Sequence, residues 1–427
     1  MYRLFAPLIF ICLLPGALWR AFRRGGNKGR WRERFGDIGS GSGQSGLEGC
    51  IWVRSISVGE TLVAIRFVRA LRRAGWTGPV VLTATTSTGV AVAEDEALRL
   101  GVRVFFNPLD FRFAVDRFLG ATEPCAICFV EGDFWPNLTG SAFLRGIPLH
   151  LVNARLSPRS AARYACVREW LSPLFACFAS VQVSDEESLE RWRVISCGRA
   201  QGMITGNLKF DSEGIGDGQA SQHEVDGSGK RLSGFGQGPL LVAGSTHDPE
   251  EVWIAWLWRS LRVRLPGLRL VLVPRHVERC AEIEVTLSRW GFSVRRSSAM
   301  VGVRVDEETV VLVDSTGELR SWYGIATMAL IGRSFLARGG QNPAEPLMAG
   351  TAAVVGPFME NFTEITRELV SAGGVLQVES VSGVEEALCG LLSDSARRAR
   401  MVVAGRSVLA RHDGSATRAA GVVLAGV

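Results

Sequence analysis

Lysine is almost missing from this chain. Among 48 basic residues only Lys28, Lys209 and Lys230 are lysine, and arginine supplies the rest of a modest net charge of +6. Each lysine is therefore worth inspecting. Metal-ligand spacing is missing too. Cys125 and Cys128 form a lone C-x-x-C inside the apolar run Cys125–Val130, with no second pair or histidine at zinc spacing, which argues against a metal site. The nine cysteines show no pairing pattern. They suit reduced thiols in a cytosolic setting, most of them packed as small apolar residues. No strand-like run is followed by G-x-G-x-x-G and there is no P-loop lysine, so the dinucleotide and ATP fingerprints are absent. No D-x-D stands where a metal-dependent sugar transferase would hold its ion.

What is present begins with length. A chain of 427 residues, 47% of them hydrophobic, is expected to form two or three domains, each with its own core. Residues Phe5–Trp19 are apolar almost throughout, and arginines follow at 20, 23, 24, 30, 32 and 34. A spanning helix takes roughly 17–25 apolar residues, so this run suits a short span or a monotopic helix. The basic charge follows the run and no small-x-small cleavage site is obvious, which disfavours a signal peptide. Positive charge after the run keeps that side cytoplasmic and attracts anionic headgroups at about 1 kcal/mol per residue. Residues 1–34 therefore read as a membrane anchor with a basic juxtamembrane segment. A buried first helix with a solvated arginine-rich end is the plainer alternative.

From Cys50 onward the pattern is βα repeats. Strands are expected at Cys50–Ser55, Val80–Ala84, Val102–Phe106, Ala126–Val130, Leu149–Asn153 and Val181–Val183, with a helix over Gly59–Ala74. Short apolar strands alternating with helices indicate a parallel sheet covered on both faces. Residues 211–238 are rich in glycine, serine and charge, and read as a linker. A second series follows, with strands at Leu240–Ala243, Leu268–Val273, Val310–Val313, Met328–Ile331 and Ala352–Val355. The chain is thus expected to be α/β, with two Rossmann-like domains over 35–210 and 239–427 facing a cleft. In open α/β sheets ligands bind beyond the carboxyl ends of the strands, so the loops after the strands carry the chemistry.

Four such loops stand out in the first half. Ser55–Glu60 opens a helix. Glu60 there suits a catalytic carboxylate, and equally an acidic residue favoured by the helix dipole. Glu131-Gly132-Asp133-Phe134-Trp135-Pro136-Asn137 puts two carboxylates at a strand end, suited to acid, base or charge-stabilising roles. Asn153–Ser160 offers two arginines for phosphate or carboxylate, or an ordinary helix start with Ser157 as N-cap. Gly206–Asp211 holds Lys209. In the second half the loops are Gly244-Ser245-Thr246-His247, Pro274-Arg275-His276, Asp314–Leu319, the glycine-rich turn Gly339–Pro346, and Asn361-Phe362. Glycine-rich turns and helix N-termini bind phosphate through backbone amides. Amides and arginine fit a nucleotide-sugar site that needs neither metal nor cofactor.

These motifs, in this order, closely resemble the Kdo transferases, which add 3-deoxy-D-manno-oct-2-ulosonic acid to lipid A precursor. SVGE at 57–60, EGDFWPN at 131–137, NARLSPRS at 153–160, GNLKFD at 206–211, GSTH at 244–247, PRH at 274–276, GEL at 317–319, GGQNPAEP at 339–346 and NF at 361–362 carry the likeness. It covers nearly the whole chain. The resemblance implies the GT-B architecture, an N-terminal apolar anchor at the cytoplasmic face of the inner membrane, an acceptor domain followed by a CMP-sugar domain, and no nucleic-acid partner. It implies Glu60 as general base, Glu131 as a charge-stabilising carboxylate and Lys209 as a functional lysine. It also implies CMP held by Pro274, Arg275, Thr316, Gly317, Glu318, Asn342, Pro343, Ala344 and Glu345.

Two departures from the family pattern matter. Asp133 and Phe134 stand for the second acid and the leucine of E-x-E-L-W-P-N, and Gln341 stands for the histidine of G-G-H-N. Gln341 hydrogen-bonds but does not titrate. Two other readings compete. One is a related two-domain enzyme using another nucleotide sugar or acceptor, of the UDP-sugar epimerase or peptidoglycan-lipid type. The other is a silent membrane scaffold that kept the fold.

Overall fold

Unbroken runs of Val, Ile, Leu and Ala can bury both faces of a strand, and they form the centres of two parallel sheets. The computed structural model describes residues 29–39, 46–132, 135–211, 238–300 and 305–427. The expected anchor over Phe5–Trp19 and nearly all of the expected linker lie outside these. Among the described residues no helix is long and apolar enough to cross a membrane.

The chain divides into two compact units, one of residues 1–214 with 412–427 and one of residues 215–411. The first sheet contains β1 (Ile51–Arg54), β2 (Val80–Ala84), β3 (Val102–Phe106), β4 (Ala126–Val130), β5 (Leu149–Ala154), β6 (Phe178–Val183) and β7 (Gly202–Ile204). Its order is β3-β2-β1-β4-β5-β6-β7. The second contains β8 (Leu240–Thr246), β9 (Arg269–Pro274), β10 (Ser293–Arg296), β11 (Thr309–Leu312), β12 (Met328–Ile331), β13 (Ala353–Val355) and β14 (Val375–Gln377). Its order is β10-β11-β9-β8-β12-β13-β14. Successive side chains point to opposite faces. Thus Trp52 joins the core beneath the helices 112–122 and 136–144, while Ile51 and Val53 join the core beneath Val58–Arg73.

The sequence pattern alone extends the second domain over 239–427, and the structure corrects this. The last helix, Ser415–Leu424, buries Ala416, Ala419, Ala420 and Val423 in the first unit's core beside Val63, Phe67 and Val68. Its small residues recur at helical spacing and allow close approach to the helix Val58–Arg73. Asp211, expected to open a polar linker, is only 1% exposed. Its carboxylate accepts from the Gly414 and Ala416 N–H groups at 3.1 and 2.7 Å and from the Ser415 hydroxyl at 3.3 Å. It satisfies the orphan donors of the helix's first turn, where negative charge is also favoured.

A titratable group lies on the same side of the first sheet. His150 on β5 is 2% exposed, its Nδ1 is 2.8 Å from the Ser180 hydroxyl, and its Nε2 has no hydrogen-bond partner among the described residues. Burial pushes its pKa down to about 4. A folded-state pKa below the unfolded value near 6.5 means that the unfolded chain binds the extra proton first. The stability is therefore complete above pH 6.5 and is lost as pH falls toward 4, by about 3 kcal/mol for this one group. Urea melts of the protein and of His150→Asn between pH 7 and 4 are expected to diverge by that amount. Parallel curves would dismiss the role of His150.

Candidate active site

In the first unit the chain after β1 builds outward through β2 and β3, and from β4 it builds the other way. β1 and β4 are neighbours, so their carboxyl ends form the topological switch point, where α/β sheets bind ligands. Both expected carboxylates stand there. Ser57 caps the helix Val58–Arg73, its hydroxyl oxygen accepting from the Glu60 N–H at 3.5 Å. The Glu60 carboxylate reaches back, accepting from the Ile56 N–H at 2.7 Å and from the Ser57 hydroxyl at 3.1 Å. This is close to the reciprocal arrangement that an S-x-x-E sequence encodes, with the carboxylate on the Ile56 N–H, one residue before the cap. It fixes the carboxylate's position at the end of β1 before any ligand arrives.

Glu131 follows β4 in the left-handed backbone region, with φ +70°. Its carboxylate meets the Lys209 ammonium at 2.6 Å and accepts from Asn153 Nδ2 at 3.4 Å. Asn153, at the end of neighbouring β5 and also left-handed with φ +55°, uses its Oδ1 to accept from the Leu208 N–H at 3.0 Å. Arg66, about two turns beyond Glu60 on the helix Val58–Arg73, donates to the Leu208 and Lys209 carbonyls at 2.9 and 2.5 Å. Glu131, Asn153 and Lys209 thus form one cluster, and Arg66 ties it to the helix that carries Glu60. Two non-glycine residues with positive φ at adjacent strand ends store backbone strain of the kind that gathers at functional sites. The sequence motifs point to Glu131 and Lys209 but give Asn153 and Arg66 no role. Asp133 and Phe134 lie outside the described residues.

The rest of the acidic loop is firmly held. Asp110 accepts from the Asn137 and Leu138 N–H groups at 3.1 and 2.9 Å, and Asn137 Nδ2 donates to the Asp110 carbonyl. Ser157 caps the helix Pro158–Ala165 through the Ser160 N–H, as its place before Pro158 predicts.

In the second unit β11, β9, β8 and β12 lie side by side. The four polar loops therefore emerge along one edge. Pro274 ends β9, and exposed Arg275 donates its N–H to the Thr246 carbonyl at 3.0 Å. Thr316, Gly317 (φ +86°) and Glu318 follow β11, and Glu318 precedes the helix Leu319–Ile325 and accepts from Trp322 Nε1. After β12, Asn342 Oδ1 accepts from the Ala344 N–H at 3.1 Å, and its Nδ2 donates to Glu345 at 3.3 Å. Pro343 then leads into the short helix Ala344–Ala349. Gly340 has φ +70°, and a Cβ there would fall 2.6 Å from Met359 Sδ, so the turn demands glycine. Glu250, in sequence a plain acidic helix start, is wholly buried. Burial raises its pKa, and its carboxylate accepts from the N–H groups of Arg333, Phe335 and Leu336 at 2.5, 3.1 and 3.4 Å, which fixes the loop after β12. Asp314 ties β11 to residues 297–298. Burial alone would raise its pKa, but donors from Ser298 and Ser297 hold it below the usual range. Among the described residues no group of three or more His, Cys, Asp or Glu could hold a metal ion.

Two doubly wound parallel units with polar loops at the strand ends define a two-domain α/β protein of the GT-B type. Solved structures with this fold include UDP-GlcNAc 2-epimerase from Neisseria meningitidis, matched over 88% of this chain and 99% of that one with a TM-score of 0.60 and 13% identity. MurG from Acinetobacter baumannii matches over 88% and 99% with a TM-score of 0.54 and 13% identity. These likenesses concern the fold alone.

The sequence places the chain more narrowly. The family model described as 3-Deoxy-D-manno-octulosonic-acid transferase (kdotransferase) matches residues 29–212. The chain is 34% identical to 3-deoxy-D-manno-octulosonic acid transferase of Haemophilus influenzae over 91% of its own length and 89% of that protein's. It is 32% identical to the Bordetella pertussis enzyme of the same name over 97% and 95%. The chain belongs to the 3-deoxy-D-manno-octulosonic acid (Kdo) transferase family of glycosyltransferases.

Proposed function

We propose that this enzyme moves Kdo from CMP-Kdo to a hydroxyl of lipid A precursor, by a metal-independent inverting displacement at the cytoplasmic face of the inner membrane. The observation that carries the reading is the pairing of a preset Glu60 carboxylate with the Glu131–Lys209–Asn153 cluster, at the carboxyl ends of adjacent strands. CMP is already a good leaving group, whereas an acceptor hydroxyl is a poor nucleophile until a base takes its proton as the C–O bond forms. Glu60 takes that proton. One carboxylate suffices for inversion, and no covalent intermediate is required. Glu131 faces the developing positive charge of the sugar, with Lys209 and Asn153 fixing its direction. In the second unit Pro274, Arg275, Thr316, Gly317, Glu318, Asn342, Pro343, Ala344 and Glu345 hold CMP, and Arg275 with the loop amides steadies the departing phosphate. Residues 1–34 tether the enzyme to the membrane that presents the acceptor.

The test is transfer of labelled Kdo from CMP-Kdo to lipid A precursor by the purified full-length protein in detergent, with mass spectrometry of the lipid. Product and CMP in equal amounts are expected. No product from CMP-Kdo, with turnover of a UDP-sugar instead, would overturn the donor assignment.

A further inference from the structure

We infer that Arg333 is an anion-binding residue of the donor half, receiving the phosphate or the sugar carboxylate of the nucleotide sugar. This rests on the reading of the second unit as the CMP-Kdo site. Arg333 lies just after β12, beside β8 at the second sheet's switch point. The two loops there interlock. The Gly332 N–H donates to the Gly244 carbonyl at 2.8 Å, and a Cβ on Gly332 would come within 2.4 Å of the Ser245 carbonyl oxygen.

Arg333 has φ +57°, a conformation that glycine adopts freely and a long side chain does not. Its backbone is held there from both sides. Its N–H donates to buried Glu250, and its carbonyl accepts from the Gly340 N–H at 2.8 Å. A strained arginine held this firmly points to a use for its side chain.

That side chain lies across the glycine-rich turn. Nε donates to the Arg338 carbonyl at 2.9 Å, and a Cβ on Gly339 would sit 3.3 Å from Nε and 3.5 Å from Cζ. The guanidinium takes part in no ion pair among the described residues. Nearby acids are engaged elsewhere. Glu250 is spent on backbone N–H groups, and Glu360 receives Arg338 and the Gly339 N–H. His247 after β8 lies within electrostatic reach of Arg333 and of exposed Arg275 and His276 after β9, with the two imidazole rings 5.7 Å apart. His247 titrates low, first through burial and then through Arg333, His276 and Arg275. Basic groups after three neighbouring strands, β9, β8 and β12, thus come within reach of His247, and a guanidinium fork suits a bidentate phosphate or carboxylate.

The experiment uses the full-length protein in detergent and the variants Arg333→Gly and Arg333→Lys. Titrations with cytidine, CMP and UDP are run beside KM for CMP-Kdo. Arg333→Gly is expected to melt at or above the wild-type temperature, because glycine relieves the backbone. If Arg333 holds the phosphate, that variant binds CMP about tenfold or more weakly, with cytidine unchanged. If it holds the carboxylate, CMP binding stays and KM for CMP-Kdo rises by a similar factor. Arg333→Lys falls between, since it keeps charge without the fork. CMP affinity and KM both within twofold of wild type in Arg333→Gly would overturn the inference. Wild-type protein that binds UDP but not CMP would end the CMP-Kdo reading, while the effect of the variant on UDP still decides Arg333. Wild-type protein that binds neither nucleotide ends both.

Discussion

Glu60→Gln is expected to lower transfer by about 10²–10⁴-fold, the range supplied by a positioned general base, while CMP binding in the second unit is unchanged. The variant is informative because of the helix cap. The wild-type carboxylate accepts from the Ile56 N–H with one oxygen and from the Ser57 hydroxyl with the other; a glutamine carbonyl can accept from the Ile56 N–H while its NH2 donates to the Ser57 hydroxyl oxygen. The helix start is therefore kept, to within about 1 kcal/mol, the typical worth of one such hydrogen bond. What the amide loses is the ability to take a proton. Glu60→Ala would lose both roles and confuse them. Steady-state transfer, CMP titration and a thermal melt on Glu60→Gln separate chemistry from folding. Near wild-type turnover would leave the carboxylate as a cap and nothing more.

Asp211→Ala is expected to destabilise the fold by about 3–5 kcal/mol. It strands two N–H groups and a hydroxyl in a buried place, and an unsatisfied buried donor costs about 1–3 kcal/mol. Asp211→Asn is expected to cost roughly half as much because it keeps an acceptor. Activity is expected to fall as well, since the same segment carries Lys209. The Asn207 N–H donates to His412 Nδ1 at 3.3 Å, Arg418 Nε donates to the Thr205 carbonyl at 3.0 Å, and Phe210 stands 5.6 Å from the His412 ring. Freed from residues 412–418, the segment would no longer hold the ammonium against Glu131. Urea melts and kcat measured on one preparation test both parts. A change in stability under about 0.5 kcal/mol, the size of an ordinary surface substitution, would show that the last helix docks through its alanines alone.

Strand centres are the most legible part of the fold. Val80–Ala84, Ala126–Val130 and Met328–Ile331 have the bounds their apolar runs suggest, because a strand buried on both faces leaves an unbroken signature. The edge strands β7, β10 and β14 leave no such mark. Ser293–Arg296 and Gly202–Ile204 are half-solvated and mixed in character, and so short a solvated strand has little apolar content to show. The partner of the last helix is illegible for a different reason. Periodicity says that a face is buried, never against what. In the site, Glu60, Glu131 and Lys209 are legible because they stand in strand-end loops and in a family's motifs. Asn153, Arg66, Glu250 and Arg333 are not, since their roles arise from contacts between segments far apart in the chain.

The docking of residues 412–427 on the first unit also bears on how the protein is made. Asp211 and the Ala416 N–H it caps are 205 positions apart, and the whole second unit is translated between them. At the usual 5–20 residues per second, the ribosome needs about 10–40 s to supply that helix after Asp211 has emerged. During that interval the groove beside Val63, Phe67 and Leu208 lies open, and only the final stretch of the nascent chain can close it. The second unit is free to fold first. The half that carries the proposed base is finished last, so a ribosome that stalls just past residue 411 releases a complete donor half joined to an acceptor half with an uncovered apolar face.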